Sequence, residues 1–133
     1  MARFPSTEWA ELLREAINAS EEYAVAAKAW DGDVLLRIVP DATGTASPGI
    51  HLDLAGGACR AARFVPNSGA TESEFVFEAT APVWDQILRG EVDPVRAVLS
   101  GQVKIRGNVA KAMRFTKAST LLVQIASAIP IGP

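Results

Sequence analysis

One histidine and one cysteine, His51 and Cys59, are the side chains of this chain best suited to proton transfer or nucleophilic attack. Nucleophilic catalysis needs a base held beside its nucleophile. His51 alternates with Ile50 and Leu52, so it falls on the solvent side of a predicted strand. Cys59 reads as a small buried apolar residue with no adjacent base. A zinc centre takes three or four ligands, more than one Cys and one His supply. A metal site would therefore need carboxylates alone. The paired acids, Asp31 with Asp33 and Glu72 with Glu74, fall in predicted turns, where acids serve solvation and local hydrogen bonds. Gly44 to Gly49 and Gly101 to Gly107 have the spacing of neither a P-loop nor a dinucleotide fingerprint. The inventory calls for no catalytic group, no metal and no cofactor.

Lys104, Arg106, Lys111 and Arg114 lie close in sequence and could form a small basic patch that meets a carboxylate, a phosphate or an anionic headgroup. An ordinary solvated face uses the same residues. Thirteen Lys and Arg against fifteen Asp and Glu leave a net charge of −2, so nothing suggests nucleic acid as a partner. The single cysteine cannot form an internal disulfide, and no basic-then-apolar leader is present, so a reducing, cytoplasmic location is expected. No apolar run approaches the ~18 residues that span a bilayer, so stable membrane insertion is not expected. A length of 133 residues predicts a single domain, 1-133.

The elements that must position these side chains follow from periodicity. Ser6 or Thr7 can cap a first helix whose stripe is Trp9, Leu12, Leu13, Ala16 and Ile17. Tyr23 to Trp30 and Val34 to Val39 read as two strands joined by a hairpin at Asp31-Gly32-Asp33. Pro40 to Gly49 reads as a surface loop. Ile50, Leu52 and Leu54 then alternate with His51 and Asp53, Gly56-Gly57 turns the chain into Ala58 to Val65, and Pro66 to Gly69 breaks it. Phe75, Phe77 and Ala79 alternate with Val76 and Glu78. Thr80 can cap a helix over Pro82 to Arg89, and Lys117 to Ile129 forms a one-sided, weakly charged last helix.

The run Gly90 to Asn108 is the most densely punctuated. Gly90 closes one helix, Asp93 caps the next with Pro94 at its first position, and Ser100-Gly101 ends it. Val103 and Ile105 then alternate with Gln102, Lys104 and Arg106 until Gly107-Asn108 starts another helix. From Thr80 to Phe115 the chain resembles the sterol carrier protein 2 (SCP2) family of small lipid-binding domains. The residues that carry the resemblance, in register without a gap, are Gly90, Asp93, Pro94, Ala97, Leu99, Gly101, Val103, Lys104, Ile105, Gly107, Asn108, Ala112, Met113 and Phe115. Gln102 stands where a basic residue is usual, and Val98 stands where an aromatic one is common.

Strands followed by helices, with one late strand returning, predict an α+β fold: a mainly antiparallel sheet of five to six strands with helices covering one face. The resemblance implies the same architecture. A filled core and a lined cavity share one sequence signature. The resemblance implies a cavity between sheet and helices, partly closed by the C-terminal helix, that takes up fatty acyl chains, sterols or other lipids. The pocket-lining candidates are Phe75, Phe77, Trp84, Leu88, Leu99, Val103, Ile105, Met113, Leu121, Leu122 and Ile125. The function so implied is non-catalytic binding or transfer of a hydrophobic small molecule. The alternative is an accessory or oligomerisation module that partners a lipid- or quinone-modifying enzyme, with an exposed apolar patch as a homodimer surface.

Overall fold

The computed structural model describes residues 4–39, 47–68, 73–107 and 109–129. Helix α1 (Thr7–Asn18) begins where expected, with Ser6 Oγ accepting the Trp9 N–H at 3.1 Å and so satisfying one orphan donor of the first turn. Trp9, Leu13 and Ile17 are buried along one side, where α1 rests on the sheet.

The Tyr23 to Trp30 run is not a strand. Its first part is helix α2 (Glu21–Ala26), for a local reason: Ser20 Oγ accepts the Tyr23 N–H, and Glu21 and Glu22 sit at the positive end of the helix dipole. Tyr23, Ala27 and Trp30 are the buried positions, spaced four and three apart as a helical stripe requires. Asp31-Gly32-Asp33 is therefore no hairpin turn but the start of strand β1 (Asp31–Val39).

Strands β2 (Gly49–Ala55), β3 (Ala58–Val65), β4 (Phe75–Thr80) and β5 (Lys104–Gly107) complete a five-stranded sheet of order β3-β2-β1-β4-β5. All neighbours are antiparallel except β1 and β4, which run parallel with Val34 opposite Phe75 and Leu36 opposite Phe77. Gly56 and Gly57, both at positive φ, make the β2–β3 turn as expected. The front face carries Val34, Leu36, Leu52, Phe75 and Phe77 towards the helices. The back face carries Leu35, Arg37, His51, Val76 and Glu78. Leu35 points away from the helices yet is fully buried, which is why Val34-Leu35-Leu36 reads as a continuous apolar run. Ser68, in the segment read as a chain break, helps cover this back face. Its Oγ and N–H both donate to Ser47 O, and its carbonyl accepts from Arg37 Nη2 at 2.9 Å. Gly49 lies beneath it, and a Cβ there would stand 3.0 Å from Ser68 Oγ and 2.9 Å from Leu36 O.

Helices α3 (Ala81–Leu88), α4 (Pro94–Leu99), α5 (Val109–Arg114) and α6 (Thr116–Ser127) cover the front. Thr80 occupies the N-cap of α3 without a side-chain bond, so the start rests on Pro82 in the first turn. Gly107, at φ +109°, ends β5 where a Cβ would collide with the Glu74 carbonyl. Helix α6 packs against all five other helices and buries Ala118, Leu122 and Ala126.

Candidate functional site

Between the front face and the helices lies an apolar layer containing two aromatic groups. Trp30 stands 4.6 Å from Phe75 and meets Phe115 edge-on at 5.1 Å. Phe4 meets Trp9 edge-on at 4.6 Å and leans on Trp84 at 6.2 Å. Of the residues singled out from the sequence, Phe75, Phe77, Trp84, Leu88, Val103 and Leu122 are buried in this layer, with Ile105, Leu121 and Ile125 half-buried against it. The Met113 side chain lies outside the described residues. Leu99 does not join the layer: it is 81% exposed, because Ala97, fully buried, takes the inward position of short α4 and Leu99 follows two residues later on the opposite side. Trp30 and Trp9 belong to the layer and were not among the pocket-lining candidates. Trp30 was legible as the third member of the Tyr23–Ala27–Trp30 stripe.

Three indoles reach this layer and their N–H groups fare differently. Trp84 Nε1 donates to Arg37 O at 2.9 Å, tying α3 to β1. Trp30 Nε1 donates to Gly32 O at 3.1 Å. Trp9 Nε1 is buried and has no acceptor among the described residues. At the rim, Lys111 Nζ sits 5.2 Å from the Trp30 ring centre and donates to Asp31 O at 2.6 Å and to Glu74 Oε1 at 2.9 Å. The basic residues that could have formed one patch are divided. Lys104 and Arg106 alternate with front-facing Ile105 and so lie on the back face, whereas Lys111 sits beside Trp30.

The titratable groups of the back face serve cross-links. His51 is on that face as expected, but its side chain is only 17% exposed, with Nε2 2.8 Å from Asp33 Oδ2. Asp33 Oδ1 accepts the Glu74 N–H at 2.9 Å. Burial pushes the Asp33 carboxyl up, but the Glu74 N–H and His51 outweigh it and hold it below the ordinary value. Glu78 bridges Arg37, at 3.0 Å, and Arg106. Burial raises Glu78 too, and the two guanidinium groups more than offset it, leaving a net lowering. Burial pushes the Cys59 thiol up to about 11, so it stays protonated and unreactive at neutral pH. Among the described residues no group of three potential metal ligands occurs. None of their helices is long and apolar enough to cross a membrane.

Residues 10–119 match the model of the SCP-2 sterol transfer family. Among solved structures, a crystal structure of sterol carrier protein 2 is 31% identical with a TM-score of 0.85, covering 94% of this chain and 98% of its own. A conserved hypothetical protein of Thermus thermophilus, with sterol carrier protein as its suggested identity, is 30% identical at TM-score 0.80 over 100% of this chain and 98% of its own. The UbiJ-SCP2 ubiquinone synthesis protein, 16% identical at TM-score 0.51 over 91% of this chain and 89% of its own, shares the fold. No curated protein matches the sequence.

Proposed function

Because this chain belongs to the SCP-2 sterol transfer family, we propose that it binds and releases a hydrophobic ligand, a fatty acid, fatty acyl compound or other lipid, in the layer between the sheet front and the helices, without chemistry on it. The observation that carries this reading is the aromatic and aliphatic layer of Phe75, Phe77, Trp30 and Phe115 roofed by α6. Burial is worth about 0.8 kcal/mol per methylene, so ten methylenes of an acyl chain supply about 8 kcal/mol before the costs of association. No acid, base or nucleophile is needed.

Helix α6 is the element best placed to yield. Phe115 stands at its N-cap without a capping bond, its first turn has no acidic residue, and its last turn has no basic one. Its stability rests on packing, and a ligand that replaces those contacts opens it at small cost. Native mass spectrometry of freshly purified protein, followed by solvent extraction, tests the proposal. One lipid per chain supports it; an apo mass with no uptake of added fatty acids, isoprenoid quinones or sterols refutes it.

A second reading, as an accessory or oligomerisation module, draws on Val25 and Leu99, large apolar side chains left outward-facing on α2 and α4. A stable dimer in light scattering that takes up no lipid would favour it.

A further inference from the structure

A buried polar hydrogen without an acceptor is rare in native proteins and marks a place where a partner is missing. Trp9 Nε1 is such a group. The residue is 0% exposed, it lies in the same core as Trp84 and Phe4, and its N–H finds no oxygen among the described residues, whereas the Trp30 and Trp84 indoles both do. We propose that Trp9 Nε1–H is the headgroup contact of the ligand site and that it selects a neutral lipid bearing a carbonyl oxygen, such as an acyl ester, over an ionised fatty acid. This rests on the lipid-binding reading above.

The neutral preference follows from what surrounds the donor. Among the described residues the buried charged side chain, Glu78, and buried Ser68 both belong to the back face. A carboxylate placed beside Trp9 would lose its hydration and gain one neutral donor in return, which does not offset burying a charge. Lys111, the cation that sits over the Trp30 ring, is already engaged by Glu74 Oε1 and Asp31 O. A carbonyl oxygen carries no net charge and needs one donor, which is what Trp9 offers.

The test is a titration of the 15N-labelled protein at pH 8 with methyl decanoate, decanoate and 1-undecene, following the indole N–H resonance that Trp9→Phe removes. The ester should move that resonance downfield and slow its exchange with solvent; 1-undecene should not. Decanoate should bind about tenfold or more weakly than the ester. Trp9→Phe should weaken the ester roughly three- to tenfold, the range of one net hydrogen bond, and leave 1-undecene within about twofold. An ester that binds with the Trp9 resonance unmoved would overturn the inference, as would decanoate binding as tightly as the ester. If none of the three probes binds, the lipid-binding reading itself fails, a separate result. Should Trp9→Phe fold poorly, the wild-type titration decides alone.

Discussion

Lys117→Glu is the perturbation that bears most directly on α6 as a gate. Lys117 is exposed in the first turn of a helix that lacks both an N-cap bond and an acidic residue there, so its cation faces the positive end of the dipole. A charge at a helix end is worth about 0.3–1 kcal/mol, and the substitution removes an unfavourable one and adds a favourable one. At this exposed position a gain of about 1 kcal/mol is expected. If opening α6 limits ligand release, that gain slows release about fivefold, since 1.4 kcal/mol is a factor of ten. The thermal midpoint should rise about 3–5 °C for a chain of this length. Stopped-flow transfer of a fluorescent acyl ester to excess vesicles at low ionic strength reads the rate, and differential scanning calorimetry reads the midpoint. At 1 M salt, where screening acts over about 3 Å, both differences should largely vanish. A raised midpoint with an unchanged release rate would show that α6 is stabilised but does not gate the ligand.

Leu122→Ala should cost about 2–5 kcal/mol in urea unfolding, because Leu122 is 3% exposed, whereas Leu99→Ala should stay within about 0.5 kcal/mol; comparable losses would contradict their placement. Trp84→Phe removes the bond to Arg37 O and should cost about 1–2 kcal/mol, with an unchanged urea midpoint arguing against the α3–β1 tie. Glu78 is held below its ordinary value of 4.5, so the charged form stabilises the fold; that contribution is present above pH 4.5 and lost as pH falls through the lower folded value. Glu78→Gln should therefore be less stable than the parent at pH 6 and converge with it towards pH 3, and parallel stability curves would refute the linkage.

The sequence reveals those parts of the architecture that rest on local chemistry. Ser6 caps α1, Gly56-Gly57 turns β2 into β3, and Gly90 and Gly101 take the positive φ that their helix ends require. The misreading of Tyr23 to Trp30 has the same origin, since Ser20, Glu21 and Glu22 form a helix start that outweighs a superficial alternation. The parallel pairing of β1 with β4 was not legible, because nothing in Val34 to Val39 records which distant strand will lie alongside. Leu99 shows a similar limit for the site: its side of α4 is decided by Ala97 taking the buried position. Trp9 was visible as one residue of an amphipathic stripe, but its unmatched N–H becomes apparent only when every neighbour is in place.

The parallel pair also dictates an order of events. The β2–β3 hairpin closes through two glycines, and β1 can join it over a short stretch, so these three strands can assemble early. The other edge of β1, with apolar Val34, Leu35 and Leu36, stays unpaired until Phe75–Thr80 arrives from far along the chain. Closing that distance delays the reward of the pairing, and a free apolar edge is a template for pairing with another molecule. The Arg37–Glu78 bond, made between residues directly opposite in the parallel register, then marks the correct alignment: a slip of β4 by one residue would turn Glu78 towards the apolar side and away from Arg37, so the shifted pairing is penalised.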